Sequence, residues 1–412
     1  MENNKSGTIF GAADILLPPW DCGDVRWKTY PVIACDQFTS EPDYWRSVQK
    51  LTDGRFSALE YILPEAYLGT PEEARRNAVI AGNMRNAAGR FCTYADSLVY
   101  LERTLPDGRI RRGIVGRVDL EKYDFSPESS SPVRATEQTV TERIPPRVAI
   151  RRAATVELPH VMLLMDDKKN CVISSIASEK SSMRKLYDMP LMLGGGRAAG
   201  WLVEGDVLSK AICAISDYEA NASGGVVYAM GDGNHSLASA KAFYEELKAA
   251  GKAGDDHPAR WALCEIVNLH DPALDFEPIY RAVSGIEPEK LIAALEAQVK
   301  PEDERCTVKA VFGGYEREVS IPATHCLAVG SLQNAIDTLD KNCGADCDYI
   351  HGLDSLGALS KEKNVTGFIF DGVMKEDLFA YVSRHGCLPR KTFSMGEARS
   401  KRYYMEARKI VL

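Results

Sequence analysis

The sequence predicts an α+β protein with mixed sheets, hairpins and flanking helices. Apolar β-formers recur in pairs separated by polar turns, and single amphipathic helices stand between these pairs without regular alternation. The 412 residues, 45% of them hydrophobic, suffice for a full core and for two or three domains. We expect an N-terminal α+β region (1–130), a central α+β core (131–280) and a C-terminal α/β region (281–412), with the linker-like stretch 126–132 at the first boundary.

The elements follow from local patterns, taken in chain order. Alternating residues on both sides of a Pro-Asp-Gly turn predict a hairpin at 97–121. Two apolar runs around a polar turn predict a pair of strands at 160–178. In 226–254 an apolar run, a glycine-rich loop and apolar residues at helical spacing predict a strand, a loop and a helix that ends near Gly251.

The rest of the chain continues the mixture of strands and single helices. We expect strands at 261–269, 324–331 and 365–373, and helices at 287–300, 331–342 and 375–386. Helices inserted singly among strands favour α+β over a regular doubly wound sheet.

Composition and charge argue against several classes of function. A net charge of −8 with both signs mixed along the chain disfavours a broad nucleic-acid-binding surface. A membrane span needs roughly 18 uninterrupted apolar residues, and we find neither such a stretch nor a secretory signal pattern. We therefore expect a cytoplasmic protein without nucleic-acid or membrane partners.

The eleven cysteines are scattered, and Cys213 and Cys264 stand inside apolar runs. We expect most of them to be buried free thiols in a reducing compartment. Cys343 and Cys347 are the closest pair, but their spacing is one residue wider than in a zinc knuckle, so we interpret them as structural. The sequence lacks Walker, HExxH, GxSxG and correctly spaced GxGxxG motifs, which disfavours a standard kinase, zinc protease or serine hydrolase.

The strongest candidate for a site is GDGNHS, residues 231–236, between the apolar run 226–230 and a helix. Its glycines let backbone N–H groups approach a ligand, and the helix N-terminus favours a phosphate or carboxylate. Asp232 suits a metal ion or a general base, and His235 suits an anion or a proton near neutral pH. A tight turn with Asp232 or Ser236 as helix cap explains this stretch better when it is taken alone.

Three other stretches offer polar groups to a ligand. Asp36 and Gln37 directly follow an apolar strand, where α/β-type sites form, although helix capping is an alternative. The arginine-rich segment 134–152 suits phosphate or carboxylate, with a solvated salt-bridge network as its alternative. The fourth stretch, 388–404, is either an anion site or ordinary basic surface, and its candidate residues are Lys391, Ser394, Lys401 and Arg402.

Eight stretches occur in an order that resembles a known family. Along the chain they are CDQFTSEPDYW, LPEAYL, RATEQTVTERIPPR, ELPHVMLLMDD, GDGNHSLASAKA, HPARWALCEIVN, FEPIYRAV and LPRKTFSMG. Together they look like the bacterial and archaeal family catalogued as domain of unknown function 1015, over nearly the whole chain. The corner is also similar to the Asp-Gly-His-His-Arg motif of free-serine kinases. This similarity implies an element like that of the ParB partition proteins and sulfiredoxin around the corner.

The resemblance implies a nucleotide-phosphate site. In the free-serine kinases the corner holds nucleotide phosphates, and a carboxylate acts as base in forming O-phosphoserine. Carried over, Asp232, Gly233 and His235 match the corner, and the candidate carboxylate is Asp36 or Glu65.

Two positions depart from the expected pattern. Ser236 stands where the kinase motif has arginine, and Tyr280 stands where the family resemblance implies histidine. These departures imply an altered substrate or an altered direction of phosphotransfer, with a nearby arginine supplying the missing charge.

The leading hypothesis is an Mg²⁺-assisted phosphotransfer enzyme for a small phosphorylated metabolite, with serine or phosphoserine as substrate and ADP or ATP as nucleotide. The alternative is a nucleotide-responsive binding or regulatory protein without turnover. The predicted catalytic residues are Asp232, His235, Asp36 and Glu137, of which Asp232 and Asp36 are also the predicted metal ligands. The predicted phosphate or substrate ligands are Gly231, Gly233, Asn234, Ser236, Gln37, Arg134, Arg143, Arg147 and Lys391.

Overall fold

The computed structural model describes residues 7–339 and 344–412, which form two compact units. Unit 1 comprises Met1–Leu274 and Glu397–Leu412, and unit 2 comprises Asp275–Gly396. The boundary predicted near residue 130 lies inside unit 1, because strands on its two sides pair in one sheet. Unit 1 is discontinuous in sequence, because residues 397–412 belong to it and follow unit 2 along the chain.

The secondary structure of the described residues consists of short and long strands interspersed with single helices. The strands are β1 (Phe10–Gly11), β2 (Ala13–Leu17), β3 (Val32–Ile33), β4 (Cys92–Thr104), β5 (Ile110–Asp119), β6 (Tyr123–Asp124), β7 (Val133–Arg134), β8 (Val156–Glu157), β9 (Met162–Met165), β10 (Lys185–Pro190), β11 (Arg197–Val203), β12 (Tyr228–Asp232), β13 (Trp261–Asn268), β14 (Phe276–Ser284), β15 (Arg305–Phe312), β16 (Tyr315–Pro322), β17 (Asp346–His351), β18 (Val365–Ile369), β19 (Phe393–Met395), β20 (Tyr403–Tyr404) and β21 (Arg408–Lys409). The helices are α1 (Pro42–Thr52), α2 (Glu73–Arg85), α3 (Ile144–Ala153), α4 (Cys171–Ser178), α5 (Gly205–Asn221), α6 (Asn234–Ala249), α7 (Pro288–Glu296), α8 (Ala328–Asp337), α9 (Leu353–Leu359) and α10 (Leu378–His385).

Unit 1 is built around an eleven-stranded sheet with the order β10-β11-β4-β5-β13-β9-β12-β7-β6, with β1 on β5 and β2 on β4. The predicted hairpin is β4–β5. Four consecutive residues of β4, 98–101, are buried, as expected for a strand covered on both faces. The C-terminal segment returns to unit 1, where β20 pairs with β3 and β21 with β8.

Unit 2 contains a six-stranded sheet with the order β16-β15-β18-β14-β17, and β19 pairs with the other end of β14. Helices α7 and α8 pack on β16, and α9 packs on β14. Tyr280 lies in this core, with its ring 5.7 Å from that of Phe370. The tyrosine that replaces the expected histidine is therefore a packing residue of unit 2.

The predicted α+β class with mixed sheets, hairpins and flanking helices is confirmed. One strand prediction, the second half of 160–178, is wrong because this segment forms α4. Asn170 adopts a left-handed conformation (φ +51°), and the Asp167 carboxylate accepts a hydrogen bond from Val172 N (2.9 Å). These local features start a helix that the apolar run alone did not predict.

The strand predicted at 324–331 is also wrong, because the segment turns into α8. The His325 ring accepts a hydrogen bond from Leu327 N at Nδ1 (3.0 Å), and Ser331 Oγ donates to the His325 carbonyl (3.0 Å). These bonds close a turn immediately before the helix, so the backbone is not available for a sheet.

The cysteine prediction is correct in one respect. All ten cysteines within residues 7–339 and 344–412 are free, and Cys264 is buried. Most are partly or fully exposed, and Cys213 lies on an exposed face of α5, so the prediction of mainly buried thiols is wrong. Cys343 lies outside the described residues. Within the part of the chain that the structure describes, no helix is both long and apolar enough to span a membrane.

Candidate functional site

Three side chains from separate parts of unit 1 converge at the end of β12. Asp36 follows β3, His160 precedes β9, and Asp232 is the last residue of β12. Each offers one ligand atom, and these atoms all lie within 4.8 Å of one another. Two ligand atoms on opposite sides of a metal ion, each about 2.1 Å from it, are about 4.2 Å apart. The cluster atoms are separated by up to 4.8 Å, so small side-chain rotations would allow the three residues to bind one cation. We call Asp36, His160 and Asp232 the acidic–histidine cluster.

The backbone of the corner brings Asp232 close to His160. Strands β12 and β9 are antiparallel neighbours in which Asp232 faces Met162, with an irregular register between Met230 and Asp232. Gly231 lies within this irregularity. A bulge of this kind turns a side chain away from its regular position, which here places the Asp232 carboxylate in the cluster.

Gly233 fits the corner for two reasons. Its φ of +81° lies in the left-handed region, and an added Cβ would lie 3.0 Å from the Cα of Val161, next to His160. Both the turn and the close approach of the two segments therefore favour glycine.

We expect Gly233→Ala to lower the free energy of unfolding by about 2–3 kcal/mol, because left-handed strain adds to a steric contact. Gly251→Ala is the matched control, since Gly251 also has positive φ (+66°) but an added Cβ would meet nothing within 4 Å. Urea unfolding of both variants measures the difference. Equal decreases in the free energy of unfolding would mean that the close contact with Val161 does not contribute to the effect of Gly233→Ala.

Asp36 is half-buried and held in its ionised form. Burial favours the neutral acid, but three opposing interactions lower the pKa of Asp36 below its ordinary value. They are the charge of His160, a hydrogen bond from Gln37 Nε2 (2.9 Å) and the charge of Lys401. Gln37 thus orients the carboxylate. Because the pKa is lowered, Asp36 stays anionic at neutral pH and is available to a cation.

His160 is buried, and its ring orientation is fixed by Tyr404 of β20. Nδ1 lies 2.8 Å from the Tyr404 hydroxyl, which also accepts a hydrogen bond from Cys35 N (3.3 Å). Nε2 is therefore the ring nitrogen that a cation would use. Burial raises the pKa of Tyr404 well above its ordinary value, so its phenol stays protonated and serves as an orienting group.

Lys401 brings a positive charge to the cluster. Its Nζ lies 3.7 Å from Asp232 Oδ2, and both side chains are only 12% exposed. Asp232 Oδ1 accepts a hydrogen bond from Gly233 N (2.9 Å), whereas Oδ2 is buried with no hydrogen-bond partner among the described residues. A buried carboxylate oxygen in this state is suited to a ligand.

The N-terminus of α6 lies at the same corner. Gly233 occupies the N-cap position, so that position has no side chain to cap the first-turn N–H groups. The Asn234 Oδ1 atom is buried without a hydrogen-bond partner in the described part of the chain, and Ser236 is half-buried in the first turn. His235 Nε2 accepts a hydrogen bond from Val140 N (3.3 Å), which leaves the proton of a neutral ring on Nδ1. The corner can therefore receive an anion beside a cation.

The predicted arginine ligands have other partners in the structure. Arg134 donates to the carbonyls of Ser131 (2.7 Å) and Gly225 (3.3 Å). Gly225 precedes the first residue of β12, whereas Asp232 is the last residue of that strand. Burial lowers the pKa of Arg134. Arg134 is therefore directed toward loop carbonyls at the opposite end of that strand.

The other arginines lie on or near α3. Arg147 forms an ion pair with Glu65 and donates to the carbonyl of Arg143 (2.9 Å). Arg143 itself is exposed. Glu65, the alternative carboxylate, is thus engaged by a cation, whereas Asp36 lies in the cluster.

Two predicted residues lie outside the cluster. Glu137 is half-buried in the loop after β7. Lys391 belongs to unit 2, where it is exposed with a left-handed φ of +56°. The structure places neither side chain among the atoms of the acidic–histidine cluster.

His160 and Tyr404 were not among the predicted site residues, and Lys401 was named only within a basic stretch. A signal for His160 was present, because it directly precedes a buried strand in one of the family-like stretches. Tyr404 carries no such signal, since its position depends on the return of the chain to unit 1.

Two carboxylates, an imidazole and a helix N-terminus at one corner define an α+β protein with a polar site at the end of β12, an interior strand of its main sheet. The model of the family described as "Protein of unknown function (DUF1015)" matches residues 23–354. The chain therefore belongs to the DUF1015 family, as its sequence predicted. None of the curated proteins compared with the chain matches it.

Several solved structures are similar to the chain at low identity. A conserved hypothetical protein from Pyrococcus furiosus is 13% identical, with a TM-score of 0.37, covering 70% of this chain and 93% of that chain. A free serine kinase variant in complex with ADP is 13% identical, with a TM-score of 0.39 and coverages of 72% and 92%. SbnI from Staphylococcus aureus is 11% identical, with a TM-score of 0.35 and coverages of 68% and 82%. Scores at this level assign no activity to the chain.

Proposed function

We propose that this protein is a metal-dependent phosphotransfer enzyme that acts on a small phosphorylated metabolite. The observation that carries the proposal is the convergence of Asp36, His160 and Asp232 within 4.8 Å beside the N-terminus of α6. A cation site and an anion site at one corner are what a phosphoryl group with its metal ion requires.

The cluster residues would hold the metal ion. Mg²⁺ prefers oxygen ligands, which Asp36 and Asp232 supply, whereas the imidazole of His160 favours Mn²⁺ or Zn²⁺. Such an ion neutralises charge on phosphoryl oxygens. Both Mg²⁺ and Mn²⁺ belong in the first assays because the donor set is mixed.

The other corner residues would position the phosphoryl group. The N–H groups at the start of α6 would donate to phosphate oxygens, with Gly231, Asn234 and Ser236 shaping the approach. The imidazole of His235, whose Nε2 accepts a hydrogen bond from Val140 N, would lie beside these oxygens as a further polar group of the corner. Gln37 would keep the Asp36 carboxylate oriented.

The proposed substrate rests on the sequence of the corner. Its similarity to the free-serine kinase motif supports serine or O-phosphoserine, with ADP or ATP as nucleotide. In the kinase direction a serine hydroxyl attacks a nucleotide phosphoryl group, loses its proton to a carboxylate and releases the shortened nucleotide. In the phosphatase direction water attacks O-phosphoserine and releases serine and phosphate.

The test is a product assay on the purified protein with MgCl₂ or MnCl₂. We expect O-phosphoserine from serine plus ATP, or phosphate from O-phosphoserine, detected by ³¹P NMR and abolished by EDTA. His160→Ala should lose the activity, and His257→Ala is the control because His257 caps a turn at Pro258–Arg260 elsewhere in unit 1.

The second candidate is a nucleotide-responsive binding protein that uses the same corner without turnover. Calorimetry with ADP, ATP and CTP separates the two functions. Tight nucleotide binding without any phosphotransfer product in either direction would replace the enzyme proposal with this one. Absence of both binding and product would leave the acidic–histidine cluster as a structural feature.

A further inference from the structure

The C-terminal segment of unit 1, residues 401–404, contacts two members of the acidic–histidine cluster. Lys401 Nζ lies 3.7 Å from Asp232 Oδ2, and the Tyr404 hydroxyl lies 2.8 Å from His160 Nδ1. A segment remote in sequence from the corner therefore supplies both a cation and an orienting group.

The backbone fixes this segment against the strand that leads to Asp36. Tyr403 and Tyr404 pair with Ile33 and Val32, and Ala34 N donates to the Arg402 carbonyl (2.9 Å). Arg402 itself is buried and ion-paired. The position of Lys401 is thus set by regular pairing and a buried anchor.

The ion pair of Lys401 with Asp232 is loose. At 3.7 Å it is longer than a hydrogen bond, although the two charges are 12% exposed and therefore weakly screened. The lysine stem is flexible, with an ammonium group that acts as a point charge. A divalent ion in the cluster would compete with this ammonium for Asp232, and a phosphate group beside the ion would attract it.

We propose that Lys401 is a phosphate-binding cation of this site and that it occupies the cation position beside Asp232 until a metal ion replaces it. The inference rests on the proposed function and deepens it by naming the residue that recognises the phosphate. Ser236 occupies the position of the arginine in the kinase motif, and Arg147 is paired with Glu65. Lys401 supplies a positive charge next to that corner.

The experiment measures two affinities that should change in opposite directions in Lys401→Met. Binding of Mn²⁺ alone, followed by EPR, should become about tenfold tighter because a competing cation is removed. Binding of pyrophosphate at saturating Mn²⁺, followed by calorimetry, should become at least about tenfold weaker because an anion ligand is removed. Loss of structure alone would weaken both.

Two further variants make the result specific. Lys401→Arg should retain pyrophosphate binding, and Lys409→Met, which removes an exposed lysine of β21 outside the segment 401–404, should leave both affinities unchanged. Unchanged or weaker Mn²⁺ binding, or unchanged pyrophosphate binding, in Lys401→Met would overturn the inference while the cluster stands. If neither the wild type nor Lys401→Met binds Mn²⁺, the metal site of the proposed function falls as well.

Discussion

We expect Arg402→Met to lower the free energy of unfolding by about 3 kcal/mol, because removing one partner of a buried ion pair leaves an uncompensated charge. Arg402 is 1% exposed and binds both Glu265 and Glu406, which are 0% exposed. Arg111 also interacts electrostatically with Glu265, so part of the negative charge of Glu265 stays compensated in the variant. For this reason we expect the lower end of the range measured for buried pairs.

Protein atoms enclose Glu265 and Glu406, so water cannot take the place of Arg402 as the partner of either carboxylate. Gly113 packs so close to Glu265 that an added Cβ would lie 2.4 Å from its Oε1. The Tyr187 hydroxyl donates to Glu406. In the wild type, burial opposes the charge of Arg402, but Glu406 and Glu265 outweigh it and raise the pKa of Arg402. The guanidinium of Arg402 therefore stays charged in the wild type.

Urea unfolding followed by circular dichroism at pH 7 measures the loss of stability in Arg402→Met. Arg399→Met is the matched control, since Arg399 is an exposed arginine three residues earlier and its loss should change stability by less than about 0.5 kcal/mol. A loss below about 1 kcal/mol for Arg402→Met at pH 7 would contradict the buried ion pair.

The parts of the fold and site that are local in sequence could be predicted. The run from β12 through Gly233 into α6 is one continuous strand-loop-helix pattern, so the corner and its helix N-terminus were recognised. Asp36 was singled out as a polar residue at the exit of an apolar strand. Short apolar runs were less informative, because the one that forms α4 depends on the backbone conformation of Asn170.

The meeting of the site residues was not predictable, since it depends on long-range pairing. His160 reaches Asp232 through the register of β9 with β12, and Lys401 arrives through the pairing of β20 with β3 after the chain has completed unit 2. An isolated histidine or lysine belongs to no spaced ligand motif, so the sequence around it does not identify it as a ligand. The carbonyl and carboxylate partners of the predicted arginines are also fixed by tertiary structure, and the sequence does not reveal them.

We expect Asp232→Asn to reduce phosphotransfer at least about a thousandfold and divalent-cation affinity at least about a hundredfold, because a charge of the proposed metal site is removed. The free energy of unfolding should stay within about 1 kcal/mol of the wild type or increase. Asparagine retains an acceptor for Gly233 N, and Oδ2 has no hydrogen bond to lose among the described residues. Repulsion between Asp232 and Asp36 also falls, which offsets the lost pairing with Lys401.

This combination distinguishes a functional carboxylate from a structural one. A helix-capping or network residue loses stability when it is neutralised, whereas a ligand residue loses binding and activity at constant stability. Asp43→Asn, at a carboxylate 89% exposed on α1, controls for the change in net charge. If Asp232→Asn keeps Mn²⁺ affinity and activity, the acidic–histidine cluster is not the metal site. A large loss of stability with little loss of affinity would instead identify Asp232 as part of the architecture of the corner.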